Sequence, residues 1–319
     1  MPNNFGGDFG QYATSPMDLP MRGWGQVARR VVKELSADRL SVAAAGVSFY
    51  GLLAIFPAIA AFVTLYGLVA DPSGVEQQLA PIRAIAPQAA YDILAGQLRA
   101  VASQERVGLS VGLLLSLGLM LWSAMGGIKT VLIALNIAYD EDERRGFFRL
   151  NLIALAFTLG GMIFLVLLLF VIAAVPIIVA LLAIPESLAD IVLWARWLLM
   201  AILALTALML MYRFGPSRRP ARWRWILPGA ILAALLLIGS SVAFSFYVTN
   251  FANYNATFGS LGAVVVLLMW FFLSGYAVGL GAELNAELER QTTRDTTVGP
   301  PKPQGHRGAY VADHSVHAE

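Results

Sequence analysis

The chain has 319 residues, of which 58% are hydrophobic and 13% charged, with a net charge of +2. Soluble domains carry roughly a quarter charged residues, so a bilayer rather than water must solvate most of this chain. The lack of cysteine excludes disulfides, thiolate nucleophiles and Cys-ligated metals, and the small net charge gives no argument for a nucleic-acid partner.

Residues 1–23 are rich in Gly, Pro, Asn and Asp at first and are expected to form a disordered tail. No short apolar region with a small-residue cleavage site follows, so no cleaved signal peptide is expected. Trp24, Val27, Val31 and Leu35 then recur at helical spacing, with Arg29, Arg30 and Lys33 between them. This is the pattern of a basic amphipathic helix, either lying on an anionic membrane surface or solvated ahead of the first span.

Six segments are long and apolar enough to cross roughly 30 Å of hydrocarbon: 41–70, 108–138, 150–182, 189–212, 226–250 and 258–289. Pro57 and Pro176 are expected to kink the first and third. The stretch 74–104 contains Arg83, Asp92, Arg99 and two prolines, and is expected to form one or two amphipathic interfacial helices. Residues 291–319 contain Pro300, Pro301, Pro303 and scattered Gly, and are expected to be a second disordered tail. The expected fold class is therefore all-α: a polytopic membrane helix bundle of six transmembrane helices over 24–290, plus amphipathic interfacial helices. Three spans precede the loop near 183–188 and three follow it, but the halves share no visible sequence similarity.

Lys and Arg alternate in density from one connection to the next. The segments before span 1, between 2 and 3, between 4 and 5, and after 6 hold five, three, five and four; the alternate segments hold three, none and none. The positive-inside rule then puts both termini in the cytoplasm.

Within the spans few side chains carry chemistry. Ser116, Ser123 and Thr130 lie with Gly112 and Gly127 on one face of span 2, either for close helix packing or as the wall of a hydrated pathway. Lys129 on span 2 and Glu283 on span 6 fall at similar depth near the inner interface, where they either pair or snorkel separately to water. Arg196 sits near the outer end of span 4 between Trp194 and Trp197; it is either part of an aromatic belt or a contact for an anionic headgroup. Asp140, Glu141, Asp142 and Glu143 are consecutive, and consecutive acids rarely converge on one metal, so a solvated loop is the reading. The three histidines, His306, His314 and His317, all lie in the C-terminal segment. No metal or cofactor is expected.

Several stretches together resemble the YihY/BrkB family of bacterial inner-membrane proteins. They are Ala43-Ala44-Ala45 with Phe49-Tyr50 and Ile55-Phe56-Pro57; Ala134-Leu135-Asn136 with Tyr139, Arg144 and Arg145; and Phe258-Gly259-Ser260-Leu261-Gly262, Trp270 and Gly281-Ala282-Glu283-Leu284-Asn285. The family often has Tyr where this chain has Phe258. The resemblance covers roughly 25–290 and implies six spans in the bacterial inner membrane. It also carries an old ribonuclease label and an association with virulence. The label fits poorly, because phosphodiester cleavage needs metal ligands or an acid/base pair on a wet face. The resemblance adds Asn136, Tyr139 and Asn285 to Lys129 and Glu283 as candidate functional or gating residues.

The leading expectation is a transporter or exporter of an anionic lipid, envelope precursor or other small molecule, with membrane lipids as partners and no nucleic acid. The alternatives are a scaffold for envelope assembly that moves nothing, or a membrane-embedded enzyme. No oligomeric state is implied.

Overall fold

The computed structural model describes residues 9–37, 40–69, 106–182, 185–251 and 260–316. A single 3-10 turn, Pro16–Asp18, is followed by α1 (Met21–Ala37), α2 (Leu40–Val69), α3 (Arg106–Ala138), α4 (Phe147–Leu181), α5 (Glu186–Phe214), α6 (Trp223–Phe251), α7 (Ser260–Arg290) and the short α8 (Tyr310–Asp313). Among the described residues there is no strand, only an isolated bridge between Ala221 and Thr297. The amphipathic segment expected over 74–104, and Phe258 and Gly259, lie outside the described residues.

Helices α2 to α7 are the six expected spans, each long and apolar enough to cross a membrane. They hold 30, 33, 35, 29, 29 and 31 residues, well above the ~20 that a bilayer core requires. In a medium that offers no hydrogen bonds, an apolar run of this length satisfies its backbone only as a helix. Large apolar side chains such as Leu165, Val166, Phe170, Leu198 and Val242 remain exposed on their flanks, as a lipid-facing surface demands.

The described chain divides into two compact units. In the smaller, Phe49–Gly126, Gly126 lies where any side chain would strike the Tyr50 ring, so α2 and α3 approach closely there. The larger unit comprises Met1–Ser48 and Gly127–Glu319, and it contains the main core. That core gathers Leu40, Leu132, Leu135, Tyr139, Tyr212, Ile226, Ala230, Ala282 and Ala286. These residues lie toward the end of the bundle where the 139–146 and 215–222 connections and the two terminal segments meet, called the basic end below. Small residues set its spacing. Added methyls at Gly275 and Gly279 would press on Ala44, Val47 and Leu40 of α2, which is how small faces let helices pack without hydrophobic driving force.

Three expectations change. The apolar face of α1 is not spent on a membrane surface: Val27 and Val31 are buried with Ala13, Leu19, Trp225 and Leu288, and Arg30 pairs with Glu287 of α7. An amphipathic helix buries its stripe against whatever apolar surface is nearest, and here the ends of α6 and α7 provide it. Residues 9–20 of the N-terminal segment pack against the end of α7 and the residues that follow it. Thr292 and Thr293 donate their hydroxyls to backbone carbonyls of Ala13 and Gln11, each at 2.8 Å. Residues 291–316 of the C-terminal segment are folded onto the larger unit as well. Arg307 is only 5% exposed and gives its guanidinium hydrogens to the carbonyls of Thr293, Arg294, Lys302 and Ala312. Composition rich in Pro and Gly suggested disorder, but one buried arginine closes this loop by satisfying four carbonyls at once.

Candidate functional site

Two arrangements at the basic end involve the residues singled out above. The first is a buried polar network beneath the connections. Asn136, at the end of α3, accepts the Ser217 backbone N–H at 2.7 Å and donates to Glu143 at 3.0 Å. It therefore ties the 139–146 connection to the 215–222 connection. Tyr139 is buried, and the Arg218 guanidinium lies over its ring at 4.7 Å from the centroid. Arg218 also pairs with Glu289 at 2.7 Å, and Glu289 accepts the Thr296 hydroxyl at 2.5 Å. Burial, followed by the Glu289 charge, raises the Tyr139 phenol well above its ordinary range. Burial works against the Arg218 charge, and Glu289 more than restores it.

Asn285 has a plainly architectural position. Its Oδ1 accepts the Gly229 N–H at 2.8 Å and its Nδ2 donates to the Ile226 carbonyl at 3.1 Å. This happens where Gly229 and Gly281 bring α6 and α7 together; a Cβ on Gly229 would collide with the Gly281 carbonyl and the Asn285 side chain. Tyr212 reaches from α5 to the Val278 carbonyl at 2.9 Å. Farther along the same helix pair, the Trp270 indole donates to Ser241 at 3.2 Å. Glu283 is buried in this neighbourhood. Lys129 is half-buried on α3.

The remaining candidates have surroundings of their own. Ser116 is buried and bonds back to the Leu113 carbonyl at 3.0 Å; Ser123 is buried as well. Thr130 places its methyl against Gly46. Arg196 stands 5.5 Å from the Trp197 ring centroid on α5. Three of the four consecutive acids go separate ways: Asp140 toward Arg290, Glu141 to the Tyr310 N–H, and Glu143 to Arg145 and Asn136. Burial raises the carboxyls of Asp140 and Glu141. Burial also works on Glu143, but the bonds from Arg145 and Asn136 outweigh it and bring that carboxyl down to about 2.

The second arrangement was not legible as a site in the sequence. A cavity of about 1120 Å³ runs between α4, α5 and α6. Its length is walled by apolar side chains such as Ile153, Phe157, Phe164, Leu203, Leu210 and Leu237. Its basic end is rimmed by Arg144, Arg145, Arg149, Arg213, Arg218 and Arg219, with no carboxylate among the described lining residues. Among described residues, Arg145 and Arg218 have carboxylate partners, Glu143 and Glu289. Arg213 is instead held by the Ala221 carbonyl and by the Trp223 ring, 4.2 Å from its centroid. One guanidinium nitrogen in each of Arg213, Arg218 and Arg219 is buried without an acceptor. Buried donors normally find partners, so three such donors around one opening mark a place for hydrogen-bond acceptors. The available signal was the density of arginines in two connections; their convergence was not visible.

The chain matches the family described as Virulence factor BrkB over residues 31–306. It is 32% identical over 254 residues to YfkH of Bacillus subtilis, a protein whose name calls it ribonuclease-like, covering 77% of this chain and 89% of the relative. It is 36% identical over 93 residues to a UPF0761 membrane protein of Idiomarina loihiensis, covering 29% of this chain and 32% of that protein. A UPF0761 membrane protein of Tolumonas auensis is also 36% identical, over 91 residues, 28% of this chain and 30% of the relative. The match thus spans about a third of the length of these two UPF0761 relatives. No solved structure matches the chain.

Proposed function

The chain belongs to the BrkB family of integral membrane proteins, and from that premise we propose that it binds an anionic lipid or lipid-like envelope precursor and transports it across the bacterial inner membrane. The observation that carries this reading is the long cavity with its arginine rim. An apolar trough suits acyl chains, and guanidiniums suit phosphate through paired, charge-assisted hydrogen bonds. From Arg149 to Leu167, both lining residues, α4 rises about 27 Å, close to the ~30 Å of hydrocarbon. A path of that length is longer than one leaflet needs, which favours passage over simple lipid docking. The positive-inside rule supports a cytoplasmic basic end, so the headgroup would enter from the cytoplasmic leaflet. Catalysis is not part of this reading, since Asp140, Glu141 and Glu143 are directed to different partners.

The test begins with lipids extracted from the purified protein and identified by mass spectrometry, then followed by flux of the identified lipid in liposomes, with and without a proton gradient. Enrichment of an anionic lipid, and flux lost in Arg144→Glu/Arg149→Glu, is the expected result. Bound lipid that never moves would favour a scaffold instead. No anionic enrichment over the source membrane would overturn the reading.

A further inference from the structure

The N-terminal segment, the start of α6 and the C-terminal segment enclose a second cavity of about 300 Å³, which shares no lining residue with the long one. Arg222, Arg224, Arg294, Lys302 and Arg307 line it, with Asp295 the carboxylate among the described lining residues. Five cations brought together around so small a space repel one another unless anions compensate them.

Among the described lining residues one carboxylate faces five cations, so compensation from the protein is partial. Asp295 accepts the Thr297 N–H at 2.9 Å, the Thr297 hydroxyl at 2.7 Å and the Lys302 N–H at 2.8 Å. Burial raises its carboxyl, but these bonds outweigh burial and hold it below the usual carboxylate range. Asp295 is thus ionised; its hydrogen bonds order the 297–302 loop, and the nearby Arg307 charge also favours its ionised form. The Arg307 guanidinium is buried and donates to four neutral carbonyls. Arg222 likewise donates to the Thr297 carbonyl at 3.0 Å. Arg224, Arg294 and Lys302 are exposed, leaving their charged ends available at the opening. Helix α6 begins at Trp223, so its N-terminal dipole adds to the same positive field.

We propose that this second cavity is an anion site that holds a phosphate or diphosphate group, presented by a soluble phosphorylated small molecule or by a lipid headgroup at the adjacent membrane surface. Its volume is at the lower end of small-ligand pockets, which suits a phosphate group and not a polynucleotide. The site joins both terminal segments to α6, so an occupied pocket also staples those segments to the bundle.

The experiment uses the full chain in nanodiscs of neutral lipid, titrated with pyrophosphate by calorimetry. A saturable site is expected that is weakened at least about tenfold in Arg224→Gln/Arg294→Gln by loss of charge-assisted bonds and is unchanged in Arg149→Gln, which separates it from any pyrophosphate held at the rim of the long cavity. Both replaced side chains are exposed, so the melting temperature without pyrophosphate should stay that of the parent chain; Lys302→Gln serves as an independent variant. A parallel arm measures retention of phosphatidylglycerol through purification. Retention lost in Arg224→Gln/Arg294→Gln but kept in Arg149→Gln, without pyrophosphate binding, assigns the phosphate to a lipid headgroup. Absence of both signals in the parent chain overturns the proposal, as does binding equal in parent and double variant. Loss only in Arg149→Gln assigns the anion to the long cavity and also overturns it. Failure of the transport reading leaves this test unaffected, because the cavities are lined by different residues.

Discussion

Arg218 and Glu289 form an ion pair at 2.7 Å with side chains only 2% and 0% exposed, joining the connection after α5 to the end of α7. Breaking a buried pair from one side strands a charge, at a cost of about 3–5 kcal/mol. Glu289→Ala should therefore lower the thermal melting point of the detergent-solubilised protein markedly. Arg218→Met/Glu289→Leu should recover much of the loss, because no charge is left buried. Equal damage in the single and double variants would show that the pair is not what holds these segments.

Asn285 replaces no chemistry but completes the backbone of α6. Asn285→Ala leaves the Gly229 N–H and Ile226 carbonyl without their side-chain partner, at about 1–3 kcal/mol. Gly229→Ala should be worse, since its methyl meets the Gly281 carbonyl, a backbone atom that cannot swing aside. Urea or thermal unfolding of the two variants, ranked against the parent chain, checks the order.

The long cavity has two lining positions where volume can be added without a backbone clash. Gly160 and Gly161 both line it, and a Cβ at either meets nothing within 4 Å. Gly161→Phe should thus leave the melting temperature near that of the parent while reducing bound anionic lipid severalfold in mass spectrometry of the purified protein. Unchanged lipid content would show that the cavity is not where lipid is held.

The Glu143 carboxyl is held at about 2, against an ordinary 4.5. A depressed carboxylate contributes stability that is fully present above its unfolded value and is lost as pH falls through the folded one. The stability difference between the parent and Glu143→Gln should therefore be constant above about pH 5 and shrink toward pH 2. Asp140 and Glu141 are shifted upward by burial, so their contribution runs the other way. Melting curves at stepped pH give the measurement, and a difference that collapses already near pH 5 would contradict the Asn136–Glu143–Arg145 contact.

Of the candidate residues, Asn136, Tyr139 and Asn285 were legible from motif alone, yet not their work. Nothing local shows that Asn136 spans two connections, since Ser217 is 81 positions away. The rim arginines were legible only as a count. Arg144 and Arg149 flank the start of α4 and Arg213 and Arg219 flank the end of α5, and a count does not say that they face one opening.

The sequence by itself determined the six spans, because a run of apolar residues in lipid has one way to satisfy its own backbone, and that requirement is local. It also determined the alternation of basic charge along the chain, which needs no folding to count. Tertiary structure decided the rest. Whether the stripe of α1 met lipid or protein depended on Trp225 and Leu288 arriving beside Val27 and Val31. Whether the C-terminal segment was ordered depended on carbonyls converging on Arg307. And the scarce charges of this apolar chain became a rim only when α4, α5 and α6 packed side by side, since a cavity is a property of surfaces that meet and not of any one helix.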